Sequence, residues 1–356
     1  MDSPRILVYA GKGSSHSWTW LADFFESEGM LRVRFLDSTE FVGEISNGPD
    51  QIIVSGGDGF SIASSLAGEG FSSLKDYVTQ GGKYVGICAG AYLPLPSSVE
   101  PFSEFNVSST KIENIDCRLR MVEKVSPRIA VKYGSCAIVH PVRGELELGM
   151  DAKTLLAPLY GGPIFKEPEE DEVLLRYRSF TSNTELQIGE RDAATIVLGK
   201  PATVRSRIGQ GELLLLGPHL EHPRYRNANE LFLNLLQINP SPQRQMPGGE
   251  VERSLKRALA DLKVAILGLE NRSFVVGKKI WDGSRYLELQ AAIAKRAWTL
   301  NRDLATEISE DLEQVRQSLV RLNVGIETDA DDTTSLLVES ARKCVDNHFQ
   351  ALHHSR

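Results

Sequence analysis

A chain of 356 residues with 41% hydrophobic and 24% charged residues has the composition of a globular protein and length enough for two domains. Its formal charge of −7 and its lack of a basic stretch argue against nucleic acid or an anionic membrane as the main partner. Its four cysteines, Cys88, Cys117, Cys136 and Cys344, show no Cys-x-x-Cys spacing and read as reduced thiols in a cytoplasmic setting, and no apolar run approaches the length of a membrane span.

In chain order, the first part alternates strand and helix patterns. Arg5–Ala10 reads as a strand, Ser17–Gly29 as an amphipathic helix and Leu31–Leu36 as a second strand. Residues 51–54 form a third strand, 60–80 are mainly helical, and 84–87 form a strand that ends at Cys88. Such alternation predicts an α/β fold built on a doubly wound parallel sheet, with ligands beyond the carboxyl ends of the strands. Residues 125–216 change character: apolar segments at 174–178, 194–198 and 212–216 are separated by turns and suggest an antiparallel extension. Asn227–Ile238 reads as a closing helix.

The run Asn239-Pro240-Ser241-Pro242-Gln243-Arg244-Gln245-Met246-Pro247-Gly248-Gly249 then reads as a linker, dividing the chain into domains at 1–240 and 250–356. Beyond it the pattern is helical. Leu255, Leu259, Leu262 and Ile266 form one stripe, Leu289, Ile293 and Trp298 another, and Leu304, Ile308, Leu312, Val315, Leu319 and Leu322 a third; Thr334–Leu352 makes the last helix. The simplest packing is a small antiparallel bundle with Trp281 and Trp298 in its core. A docking surface for a partner or for another copy of the chain would show the same stripes.

Three segments carry chemistry. In Gly86-Ile87-Cys88-Ala89-Gly90 an apolar strand turns at a cysteine into a helix-compatible run, a geometry that exposes a side chain on a tight elbow and sets it at a helix N-terminus, where a thiolate is favoured. Alone, Cys88 reads equally well as a buried structural thiol. The segment Leu213–Leu216 leads into Gly217-Pro218-His219-Leu220-Glu221-His222, in which His219 and Glu221 leave the same side of an extended backbone, as a base and the carboxylate that orients it must. His222 competes with His219 but lacks a carboxylate at that spacing and reads as loop surface. The glycine loop Ser55-Gly56-Gly57-Asp58 can turn N–H groups of Gly56 and Gly57 toward an oxyanion, together with that of Ala89. Gly11-Lys12-Gly13 lacks the rest of a phosphate-loop pattern, and His140 reads as a strand-end residue. No His, Cys or carboxylate spacing suggests a metal, so none is expected, and no cofactor either.

Taken together these residues resemble the class I glutamine amidotransferase superfamily, whose fold is flavodoxin-like. More narrowly they are similar to the amidotransferase-like N-terminal domain of biotin–protein ligases. The matching pieces are Val8-Tyr9-Ala10-Gly11-Lys12-Gly13-Ser14, Ser55–Asp58, Gly86–Tyr92, Tyr160-Gly161-Gly162-Pro163-Ile164-Phe165, Ala193–Val197 and Gly209 through Glu221. The resemblance implies a Cys88–His219–Glu221 triad acting on a small amide or acyl substrate through a thioester. It also implies a substrate-side position for the residue four beyond the nucleophile. That residue is Tyr92, where glutamine-hydrolysing members carry glutamine, which turns the expectation away from glutamine as substrate. Nothing resembles the ligase's own catalytic domain. The expected function is an amidotransferase-like or amide-hydrolysing enzyme. The other readings are a binding or regulatory module on this fold, or a subunit that docks on a synthase through its helical region.

Overall fold

The computed structural model describes residues 4–113, 140–150, 153–238, 249–277, 279–324 and 330–354. Cys117 and Cys136 lie outside them, as does nearly all of the expected linker. Strands Ile6–Tyr9 (β1), Val33–Leu36 (β2), Gln51–Val54 (β3) and Lys83–Ile87 (β4) alternate with helices Trp18–Ser27 (α1), Ser38–Ile45 (α2), Gly59–Leu66 (α3) and Glu69–Thr79 (α4). A short helix, Ala89–Tyr92 (α5), follows β4 directly. After it come strands Val142–Met150 (β5), Lys153–Leu159 (β6), Glu172–Leu186 (β7), Pro201–Ile208 (β8) and Gly211–Leu216 (β9), with helices Glu190–Val197 (α6) and Arg226–Leu236 (α7).

These strands form one nine-stranded sheet in the order β2-β1-β3-β4-β9-β8-β7-β5-β6. The first five are parallel neighbours in the flavodoxin-like order, and the last four extend the sheet antiparallel from β9. Side chains alternate across it. Ile6, Val8, Val85 and Ile87 enter one apolar layer, while Leu7, Tyr9, Ile52, Val54 and Tyr84 enter the other, against α2, α3 and α4. Burial on both faces explains why these strands read as continuous apolar runs.

The segment 194–198, expected within the antiparallel extension, lies in α6 instead. Glu190 and Asp192 occupy its first turn and Ala193, Ile196 and Val197 are buried at helical spacing, which outweighs the β-branched Ile-Val pair.

Past residue 249 come helices Arg253–Leu267 (α8), Ser284–Arg296 (α9), Arg302–Asn323 (α10) and Ala330–His354 (α11), which bury most of the expected stripes. Leu304, Leu322 and Trp298, the last on the turn Ala297–Thr299 and not in the core proper, are half-buried against that core. Between α8 and α9 stands an antiparallel hairpin, Ser273–Val276 (β10) with Lys279–Asp282 (β11), that the helical reading passed over. The apolar layer around Ile6 and Val85 continues without a break through Leu255, Leu289, Leu312 and Phe349. Phe35 of β2 meets Phe349 of α11 at 5.2 Å between ring centroids.

Polar contacts reinforce that junction. Asp346 accepts from the Phe35 backbone N–H (2.8 Å) and from Arg34 Nε (2.9 Å). Arg296, fully buried on α9, reaches Asp23 (2.8 Å) and Glu26 (2.7 Å) on α1. Removing one member of such a buried set costs on the order of 3–5 kcal/mol, because its partners stay behind uncompensated. Among the described residues no helix is long and apolar enough to cross a membrane.

Candidate active site

Cys88 sits where β4 gives way to α5, at φ 53° and ψ −107°, a region that costs a non-glycine residue of order 1–3 kcal/mol. Its neighbours make the turn possible. A Cβ on Gly90 would stand 1.9 Å from the Val54 carbonyl oxygen, so only glycine lets α5 press against β3. The Cys88 N–H donates to the Leu216 carbonyl (2.8 Å), tying the elbow to the end of β9.

His219 leaves the chain just beyond β9 and forms a hydrogen bond with the Cys88 side chain. Its Nδ1 lies 2.7 Å from Glu221 Oε1, which leaves Nε2 as the nitrogen available to the thiol. Both His219 and Glu221 are buried. Burial alone would lower the His219 pKa, but the Glu221 carboxylate and the Cys88 hydrogen bond outweigh it and raise the value to about 10. The two other histidines nearby behave in the opposite way. Burial, with the charges of Arg285 and His219, pushes His16 well below the ordinary value. Burial and the His219 charge bring His222 down to about 4. Of the three histidines, His219 is the one whose charged form its surroundings favour.

Gly56 and Gly57 face the same space. A Cβ on Gly56 would meet Ser17 Oγ at 2.8 Å and His219 Cε1 at 3.0 Å, so a side chain there would displace the imidazole. The loop is fixed by Ser15 N–H to the Gly56 carbonyl (3.0 Å) and Asp58 N–H to the Gly13 carbonyl (2.8 Å), and Asp58 caps α3. The N–H groups of Gly57 and Ala89 donate to no other described residue. Tyr92 stands behind the cysteine, with its hydroxyl donating to the Gly161 carbonyl (3.2 Å); burial and the proximity of Cys88 raise its pKa.

Around these residues lies a cavity of about 830 Å³. Cys88, His219, Gly56 and Gly57 line it from the sheet side, and Trp281, Asp282, Arg285 and Glu288 line it from the region after residue 249. Trp281, expected in a bundle core, is on β11 with its ring 5.9 Å from His16. Trp20 of α1 joins the two sides: its ring meets His219 edge-on at 5.2 Å and His222 at 4.3 Å, and its Nε1 donates to Glu288 (2.6 Å). His222 is thus buried against Trp20, not displayed on the loop surface. Among the described residues no three His, Cys, Asp or Glu side chains converge as a metal-ligand set.

Residues 5–122 match the family model of the biotin-protein ligase N-terminal domain. The match includes Gly56, Gly57, Cys88, Ala89 and Tyr92 and ends before His219. An uncharacterized protein of Chlamydia muridarum is 28% identical over 246 residues, covering 65% of this chain and 85% of its own length. Among solved structures, a beta-galactosidase from Bacillus circulans sp. alkalophilus aligns with TM-score 0.38 and 11% identity over 67% of this chain, and only 32% of the galactosidase is covered. A thua-like protein from Bacteroides uniformis aligns with TM-score 0.37 and 13% identity, covering 66% of this chain and 91% of its own.

The part similar to the biotin-protein ligase N-terminal domain thus supplies the cysteine side of the cavity. Trp20, His16, Trp281, Arg285 and Glu288 escaped sequence reasoning. Helical or apolar spacing marked their neighbourhoods, and nothing in that spacing told that they converge on Cys88.

Proposed function

We propose that this chain is a cysteine-dependent acyl-transfer enzyme of the amidotransferase or amide-hydrolase kind. The observation that carries the proposal is the strained Cys88 in hydrogen-bond contact with a His219 whose other nitrogen is held by Glu221 at 2.7 Å. In this reading the thiolate, paired with the His219 imidazolium, attacks the acyl carbon of an amide. The N–H groups of Gly57 and Ala89 hold the oxyanion of the tetrahedral intermediate. Its C–N bond breaks as His219 gives its proton to the leaving nitrogen, and the acyl group remains on Cys88 as a thioester. Water or an amine, deprotonated by His219, then attacks the thioester, and the departing thiolate restores the starting pair. Glutamine is disfavoured as the natural amide, because Tyr92 stands four residues beyond the nucleophile, where glutamine-hydrolysing members carry glutamine, and its hydroxyl already donates to the Gly161 carbonyl.

The test is to incubate the protein with a library of small amides and weigh Cys88-containing peptides. Acyl adducts on Cys88 that vanish in His219→Ala support the proposal. A Cys88 that forms none and alkylates no faster than free cysteine contradicts it.

A further inference from the structure

The cavity beside the cysteine is lined by charges of both signs, and most of its acidic residues are already engaged. Asp58 caps α3, and Asp331 accepts the Gly277 N–H (2.8 Å). Asp282 pairs with Arg285 (3.1 Å), and Glu288 accepts from Trp20 (2.6 Å). Glu339 and Asp37 lie against Arg342, at 2.6 Å and 3.6 Å.

The arginines differ. Arg143, half-buried on β5, and Arg224, exposed at the rim, make no side-chain hydrogen bond or ion pair with any described residue. Arg143 stands opposite Glu185 in the β5–β7 ladder, yet the two do not approach to ion-pair distance. Arg285 is held in place by Asp282 and by the Trp281 ring, 5.7 Å from its guanidinium carbon. The charges of all three arginines are felt at the Tyr160 hydroxyl, and the Tyr160 ring lies 5.6 Å from that of His219. Arg143 and Arg224, without a side-chain partner among the described residues, thus stand with the Asp282-paired Arg285 about one tyrosine ring away from the reacting pair.

We infer that the acyl compound taken by this site carries an anionic group, a carboxylate or a phosphate ester, held by Arg143 and Arg285 with Arg224 at the rim. This rests on the acyl-transfer reading of Cys88. The planar fork of a guanidinium matches either oxyanion, and a charge-assisted pair in a partly dry cavity discriminates strongly against a neutral isostere. Asp282 and the Trp281 ring fix the Arg285 guanidinium in the cavity wall.

The experiment compares two maleimides of equal length, 6-maleimidohexanoic acid and its primary amide, by the rate at which each labels Cys88. In the intact protein the acid should label roughly tenfold faster than the amide. In Arg143→Gln that ratio should fall toward one, and Arg143→Lys should restore part of it. Protection of Cys88 by glutarate rather than by glycerol 3-phosphate assigns a carboxylate; the reverse assigns a phosphate ester. If Cys88 reacts rapidly with both maleimides at equal rates, the anionic substrate is wrong while the nucleophile stands. If Cys88 is as slow as an ordinary thiol with both, the acyl-transfer reading fails. Titration of tryptophan fluorescence with glutarate against glutaramide then decides the anion site alone. A saturable response to glutarate that Arg143→Gln removes upholds the site, and equal responses overturn it.

Discussion

Cys88 and Arg285 line one cavity, but they arrive there by different routes. The cysteine stands at a strand end, where the backbone itself dictates strain and a helix start within five residues, and it is buried at the cavity floor. The arginine stands on α9, one turn after a hairpin, in a region whose apolar periodicity is satisfied by packing against the sheet. Chemistry that depends on local backbone geometry leaves a local trace. The walls that choose a substrate depend on which helix faces which strand, and that information is spread over the whole chain.

The largest effect should come from cutting the chain within 239–248, which would separate the two sides. Because Phe35 packs on Phe349 and the buried Arg296 pairs with Asp23 and Glu26, a fragment ending at residue 238 would expose apolar surface and leave charges unpaired. Cooperative thermal unfolding should be lost in that fragment, followed by near-UV circular dichroism. A fragment that melts as sharply as the whole chain would show two independent cores and sharpen the contrast into one between true domains.

Next in size is the His219→Ala effect on thiol reactivity. Without the imidazolium, Cys88 should behave as an ordinary thiol, only about 3% ionised at pH 7, so iodoacetamide should label it roughly thirtyfold more slowly there. Cys344 gives the internal contrast. Its thiol donates to the Ile293 carbonyl (3.7 Å), and burial raises its pKa to about 12, so it should stay unlabelled in the native protein. Glu221→Gln should slow Cys88 labelling less than His219→Ala, by about tenfold, since burial then pulls the His219 pKa down with no carboxylate to oppose it.

The junction itself has a pH signature. Burial works to raise the Glu26 pKa, but the His348 hydrogen bond and the charges of Arg296 and Lys295 outweigh it and hold it at about 2, against an ordinary 4.5. A carboxylate depressed in the folded state contributes stability that is full above the unfolded value and is lost as the pH falls through the folded one. Stability on the order of 3 kcal/mol should therefore disappear between about pH 4.5 and 2. Denaturant melts across that window should show the slope in the native sequence and a flatter one in Glu26→Gln. The smallest effect is expected of His222→Ala. His222, with its pKa lowered to about 4, has Trp20 against its ring and no carboxylate partner among the described residues, so Cys88 labelling should change less than about twofold.

What the sequence made legible follows the same division. The parallel core, the elbow at Cys88 and the spacing of His219 and Glu221 could all be read, because short continuous apolar runs and strand-end glycines are local signals. The α6 helix was masked by its Ile196-Val197 pair, whose β-branched character competes with an acidic first turn. The β10–β11 hairpin was masked by its brevity: four residues on each side, between two strong helical stripes, carry little periodicity. Trp281 is buried in the core as expected, but on that hairpin and at the edge of the cavity, which an aromatic residue among helical stripes has no local mark to reveal. Arg143 was harder still, because its lack of a side-chain partner among the described residues is a property of the folded molecule alone.

The most direct test of the account is the pH dependence of Cys88 alkylation by iodoacetamide, compared in the native protein, His219→Ala and His222→Ala. A Cys88–His219 pair gives a native thiol already fully reactive at neutral pH, a His219→Ala midpoint displaced to higher pH, and a His222→Ala profile that overlays the native one. A midpoint that moves with His222 and ignores His219, or a native Cys88 that titrates like free cysteine, would contradict it.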